Sequence, residues 1–74
     1  MNLFIDRLKI LLASSGKRQT DICAELGISK QKLTNWKSGY SEPNIDDIMM
    51  LAKYFEVTTD YLVGLENEDG TKVH

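Results

Sequence analysis

Three consecutive residues, Gly27, Ile28 and Ser29, narrow the choices open to this chain more than any others. Just upstream, Ile22 and Leu26 stand at i and i+4, one apolar stripe at helical spacing. Gly27 follows where a chain leaving a helix needs a left-handed residue, which glycine supplies at least steric cost. Ile28 is apolar and plugs the corner. Ser29 offers a hydroxyl to cap a new helix. That helix, Lys30 to about Lys37, turns Leu33 and Trp36 inward at i and i+3. The stretch from Gln19 to Trp36 therefore predicts a short helix, a tight turn and a second short helix.

The outer face of the second helix carries Lys30, Gln31, Lys32, Thr34, Asn35 and Lys37, with no Asp or Glu. Such a face suits the floor of a DNA major groove. Lys donates to guanine, Gln or Asn pairs bidentately with adenine, and Thr touches a thymine methyl. Lys30, Gln31, Thr34 and Asn35 are the candidate base-reading residues. The plainer reading is a solvated polar face, which any amphipathic helix has.

Seventy-four residues allow one domain with a modest core, which helical packing or dimerisation would support. Apolar residues make up 42% of the chain, ample for a globular fold. No apolar run is long enough to span a membrane. The N-terminal stretch interrupts its apolar residues with Asp6, Arg7 and Lys9, so no secretory signal is read. One cysteine, Cys23, cannot form an internal disulfide, and a reducing cytoplasm is the expected location. Net charge is −2, the wrong sign for a phosphate binder, but its distribution is uneven. Residues 1–41 sum to +4 and residues 42–74 to −6. Phosphate attraction follows the local field within a Debye length of about 8 Å, not the total.

In chain order, Asn2 is expected to cap a helix from Leu3 to about Ser14, with Phe4, Leu8 and Leu11 inward and Ile5 and Leu12 broadening the stripe. Gly16 ends it. Arg18 is a poor cap for the next helix. After Trp36, the segment 37–43 reads as a loop, with Gly39 ending the helix and Pro43 turning Glu42 away from helical geometry. Asn44 caps a fourth helix, with Asp46 and Asp47 in its first turn and Ile48, Leu51, Ala52 and Phe55 inward. That helix ends near Glu56. Thr58 caps a short fifth helix through Tyr61, Leu62 and Val63, stopped by Gly64. The fold class is all-α, a compact bundle of five short helices. Residues 1–65 form the domain and residues 66–74 a flexible polar tail.

The ordered set Gln19, Ile22, Leu26, Gly27, Ile28, Ser29, Leu33, Trp36, Gly39, Pro43, Leu51, Ala52, Leu62 and Gly64 resembles the helix-turn-helix domain of Cro-like phage repressors and their small bacterial relatives. The resemblance runs from about Leu3 to Gly64. It implies a lambda-repressor-like fold, binding to double-stranded DNA and a role as transcriptional regulator, as a repressor. It also implies a homodimer that sets two recognition helices in successive major grooves, roughly 34 Å apart. On the family pattern Gln19 hydrogen-bonds a phosphate, and the end of the recognition helix and the loop after it cross the backbone. That carries phosphate contact onto Lys32, Lys37, Tyr40 and Ser41, with Arg18 beside them.

The chain departs from the pattern in places. Lys17 and Arg18 replace the usual apolar residue and Ser or Thr, and Glu42 stands near where many relatives are basic. Leu12 and Lys37 occupy positions where many relatives hold an Arg–Glu ion pair, so Lys37 is expected to be free for phosphate.

Other features have competing readings. Trp36 is a core residue at an inward helical phase or a stacking platform for single strands. Cys23 is packing or a thiol sensor. His74 has no partner that would make a metal site. Tyr61, Val63 and Leu65, with Met49 and Met50, exceed what one inner face needs and form a dimer patch or scattered surface apolars. No catalytic constellation is visible, so no enzyme is read, and no cofactor or small-molecule ligand is implied. The alternative to a DNA-binding regulator is a protein-interaction module of antitoxin or adaptor type, with weak DNA binding.

Overall fold

Phe4, Leu8 and Leu12 recur every four residues and form the spine on which the other helices assemble. The computed structural model describes residues 2–65. Over them the chain is all-α, with five short helices: α1 (Asn2–Ser14), α2 (Gln19–Leu26), α3 (Lys30–Ser38), α4 (Ile45–Phe55) and α5 (Thr59–Val63). Helix α1 packs on α3 and α5, α2 on α3, and α4 on α5. The expected tail, residues 66–74, lies outside the described residues.

The core takes Ile22 and Cys23 from α2, Leu33 and Trp36 from α3, Ile48, Leu51 and Ala52 from α4, and Leu62 from α5. Trp36 is buried among them, which assigns it to packing. Cys23 is buried and free. In α1 the stripe sits slightly differently from expectation: Leu12 is buried, while Ile5 and Leu11 are only partly covered. Helix α1 also begins at Asn2 itself, so Asn2 is its first residue and not its cap, a one-residue shift at a fraying end.

Caps set the other boundaries. Arg18 precedes α2 in extended conformation with no side-chain cap. Asn44 and Asp47 form a reciprocal capping box on α4: Asn44 Oδ1 accepts the Asp47 amide at 2.8 Å, and Asp47 Oδ2 accepts the Asn44 amide at 3.2 Å. Gly64 closes α5 where the chain passes close to α1; a Cβ there would come within 2.7 Å of Leu3 Cδ1.

One interior cation was not legible from periodicity. Arg7 is only 7% exposed. Its Nη1 donates to the Tyr61 carbonyl, and its guanidinium lies 4.5 Å from the centroid of the Tyr61 ring. A planar cation that both stacks and hydrogen-bonds is the kind of charge an interior accepts. It joins α1 to α5 and takes Tyr61 out of the set of freely exposed apolar residues.

Candidate nucleic-acid interface

Helix α3 is held at both ends before it presents anything. Ser29 Oγ accepts the Lys32 amide at 3.0 Å, and Gly39, at φ 80°, donates its amide to the Trp36 carbonyl. Leu33 and Trp36 anchor its inner face.

The outer face carries the four base-reading candidates together. Lys30, Gln31 and Thr34 are exposed, and Asn35 is partly covered. Gln31 Nε2 donates to Asn35 Oδ1 at 2.8 Å, one turn apart, so the two amides form a unit. The Asn35 carbonyl accepts the Ser41 amide at 3.3 Å and the Ser38 hydroxyl at 3.2 Å. The loop therefore folds back onto the helix and brings Ser41 beside it. Tyr40, 83% exposed, projects from the same loop.

The remaining phosphate candidates divide into two groups. Gln19 and Lys37 come together: Lys37 Nζ donates to Gln19 Oε1 at 3.1 Å, joining the start of α2 to the last turn of α3. Lys37 thus finds a neutral acceptor across the motif and is in no ion pair among the described residues. With its oxygen engaged, Gln19 keeps its amide NH2 as a donor. Lys9 and Lys17 line the same shallow cleft as Gln19 and Lys37, a space of about 380 Å³ floored by Leu12 and Ala13. Lys9 is the neighbour that sequence reasoning missed. Only the packing of α1 onto the motif brings it there.

Lys32 and Arg18 instead have nearby carboxylates. Lys32 Nζ lies 3.6 Å from Asp47 Oδ1 and 5.5 Å from the Trp36 ring centroid, turned toward α4. Arg18 pairs with Asp21 at 3.1 Å within the first turn of α2. The Arg18 pair is exposed, contributes little and is readily exchanged for another anion, whereas Asp47 is largely covered and also engaged in the α4 cap.

A second polar cluster steadies the motif from behind. Lys17 Nζ donates to Glu25 Oε1 at 2.8 Å, and the Tyr54 hydroxyl donates to the same oxygen at 3.1 Å. The hydrogen bond with Glu25 holds the Lys17 ammonium above its ordinary pKa, and its reciprocal holds the Glu25 carboxyl below the usual range. The cluster ties α2 to α4.

Among the described residues, no helix is long and apolar enough to cross a membrane, and no three His, Cys, Asp or Glu residues are grouped to hold a metal.

Residues 8–62 match the protein family described as Helix-turn-helix. The HTH-type transcriptional regulator ImmR of Bacillus subtilis (strain 168) is 33% identical over 58 residues, covering 78% of this chain and 46% of that protein. The HTH-type transcriptional activator BcrR of Enterococcus faecalis is 29% identical over 63 residues, 85% of this chain and 31% of the relative. The HTH-type transcriptional regulator AnsR of Bacillus subtilis (strain 168) is 39% identical over 46 residues, 62% of this chain and 40% of the relative. The chain spans less than half the length of each of these three proteins. No solved structure matches it at comparable significance.

Proposed function

The chain belongs to the helix-turn-helix family, and on that premise we propose that it binds double-stranded DNA sequence-specifically and regulates transcription, with α3 in the major groove. The observation that carries this reading is the outer face of α3. It presents Lys30, Gln31, Thr34 and Asn35 without an acid, on a helix capped at both ends, with the two amides already paired. Gln19 and Lys37, linked across the motif, hold one flanking phosphate, while Tyr40 and Ser41 meet the backbone from the loop. Lys32 and Arg18 exchange their carboxylates for phosphate on binding. The relatives named as transcriptional regulators support the regulatory role.

The finer reading is a cytoplasmic repressor of phage-repressor type that acts as a homodimer and blocks a promoter by occupying it. Selection from a random duplex library tests it, and an enriched inverted repeat is the expected product. Gln31→Ala and Asn35→Ala should each cost about 1–3 kcal/mol of discrimination at one operator position and leave helicity unchanged. An equal loss of affinity on every sequence would remove the base-reading assignment.

A protein-interaction module is the second reading, favoured by the −6 charge of residues 42–74. A steep fall of DNA affinity with salt supports the first reading, because phosphate binding releases counterions. No binding to DNA at low salt supports the second.

A further inference from the structure

The outer face of α4 carries an acid near one end and a base near the other, an order that is complementary to itself when reversed. Asp46 and Lys53 are seven residues apart, which puts them on one face, two turns and about 10.5 Å apart along the axis. Met49 and Met50 lie between them, so the midpoint of the charge pair falls at the methionines. Ile48, Leu51 and Ala52 occupy the buried side of the helix. Asp46 and Lys53 are both exposed, and neither makes an ion pair among the described residues. Met49 is 53% exposed and Ile45 79%. Beside this stripe, Ile45, Ile48, Met49 and Val63 line a largely apolar groove of about 430 Å³ between α4 and α5.

We propose that this face binds a second copy of the chain through antiparallel pairing of α4 with α4 about a two-fold axis at Met49 and Met50. The axis sets Asp46 of each copy against Lys53 of the other, so one contact is made twice. The adaptable thioethers of Met49 meet at the axis and cover the two grooves. A partner of other chemistry would have no need of an acid and a base placed symmetrically about an apolar centre. Under a two-fold axis that arrangement is complementary to itself, which favours a second copy as the occupant. The proposal specifies the interface of the dimer named under Proposed function and rests on that reading only for its use on DNA.

Sedimentation equilibrium of the full chain without DNA, over a concentration series, tests it. The chain should dimerise. Asp46→Lys and Lys53→Asp should each weaken the dimer by about tenfold or more, because each homodimer then faces two like-charge contacts. An equimolar mixture of the two variants should restore dimerisation, since the heterodimer regains both opposite-charge contacts. Met49→Asp, which places two carboxylates at the axis, should abolish the dimer without a partner that rescues it. Circular dichroism should show native helicity in all three, as the residues are solvent-facing, and binding to a single half-site should persist because α3 is untouched.

A wild-type chain that stays monomeric, single charge variants that stay dimeric, or a mixture that stays monomeric would each overturn the proposal. Failure of the DNA reading is a separate result: no enriched duplex, with the mixing rule intact, removes the regulator and keeps the interface.

Discussion

The chain makes the same corner twice. After α2 come Gly27, Ile28 and Ser29; after α4 come Glu56, Val57 and Thr58. Gly27 and Glu56 are both left-handed, at φ 71° and 56°. The Ile28 amide donates to the Cys23 carbonyl and the Val57 amide to the Ala52 carbonyl, each at 3.0 Å. Ser29 Oγ caps the Lys32 amide and Thr58 Oγ1 the Tyr61 amide, again each at 3.0 Å. Beyond the corners the helices diverge. Helix α3 has nine residues and an outer face of Lys, Gln, Thr and Asn; α5 has five and ends in Tyr61, Leu62 and Val63. The turn is therefore a packing device, and what distinguishes the candidate DNA reader is the polar face that the turn exposes.

The largest test of this equivalence lies in the core. Leu33 on α3 and Leu62 on α5 are both fully buried. Leu33→Ala and Leu62→Ala should each cost about 2–5 kcal/mol in urea unfolding. A cost below 1 kcal/mol for either would mean that its helix is not anchored as the other is.

The corners themselves should respond with opposite signs. A Cβ at Gly27 meets nothing within 4 Å, so Gly27→Ala should destabilise by about 1 kcal/mol through backbone strain, less the entropy gained in the unfolded chain. Glu56→Gly should stabilise by about 0.5 kcal/mol, because it relieves the same strain and loses part of the gain to chain entropy. Equal signs in thermal melts would break the comparison.

The smallest effect concerns the Lys17–Glu25–Tyr54 cluster behind the first corner. The Glu25 carboxyl is held below its ordinary value by its bond from Lys17, so its contribution is present above the usual carboxylate range. It is lost as pH falls through the lowered value. Lys17 is raised, so its contribution persists until strongly alkaline pH and adds no acid-side slope. Glu25→Gln should slightly flatten the acid limb of the stability profile, and its difference from wild type should vanish at low pH. A difference that survives there would assign Glu25 a role other than charge.

Much of this was legible because it is local. Helix caps at Ser29, Asn44 and Thr58 need only a side chain and an amide three residues on, and the structure has all three. The inward phase of Ile22, Leu33, Trp36 and Leu51 follows from helical spacing. The resemblance to Cro-like phage repressors is matched at the level of the helix-turn-helix family, which residues 8–62 show, and no further. The burial of Arg7 was not legible, because periodicity carries no information about a stacking partner 54 positions away. The cleft shared by Lys9 and Lys37 was hidden for the same reason.

The order of helices, their ends, the inner stripe of each and the acid-free face of α3 were determined by residues within a few positions of one another, since helix geometry couples i to i+3 and i+4 and little beyond. The tertiary structure alone decided which charges meet across helices. Lys37 was brought to Gln19, Lys32 to Asp47, Arg7 to the Tyr61 ring, and the face of Asp46, Met49 and Lys53 was left outward. Those pairings depend on how helices pack against each other, and a long flexible cation finds its acceptor only once that packing has placed one within its reach.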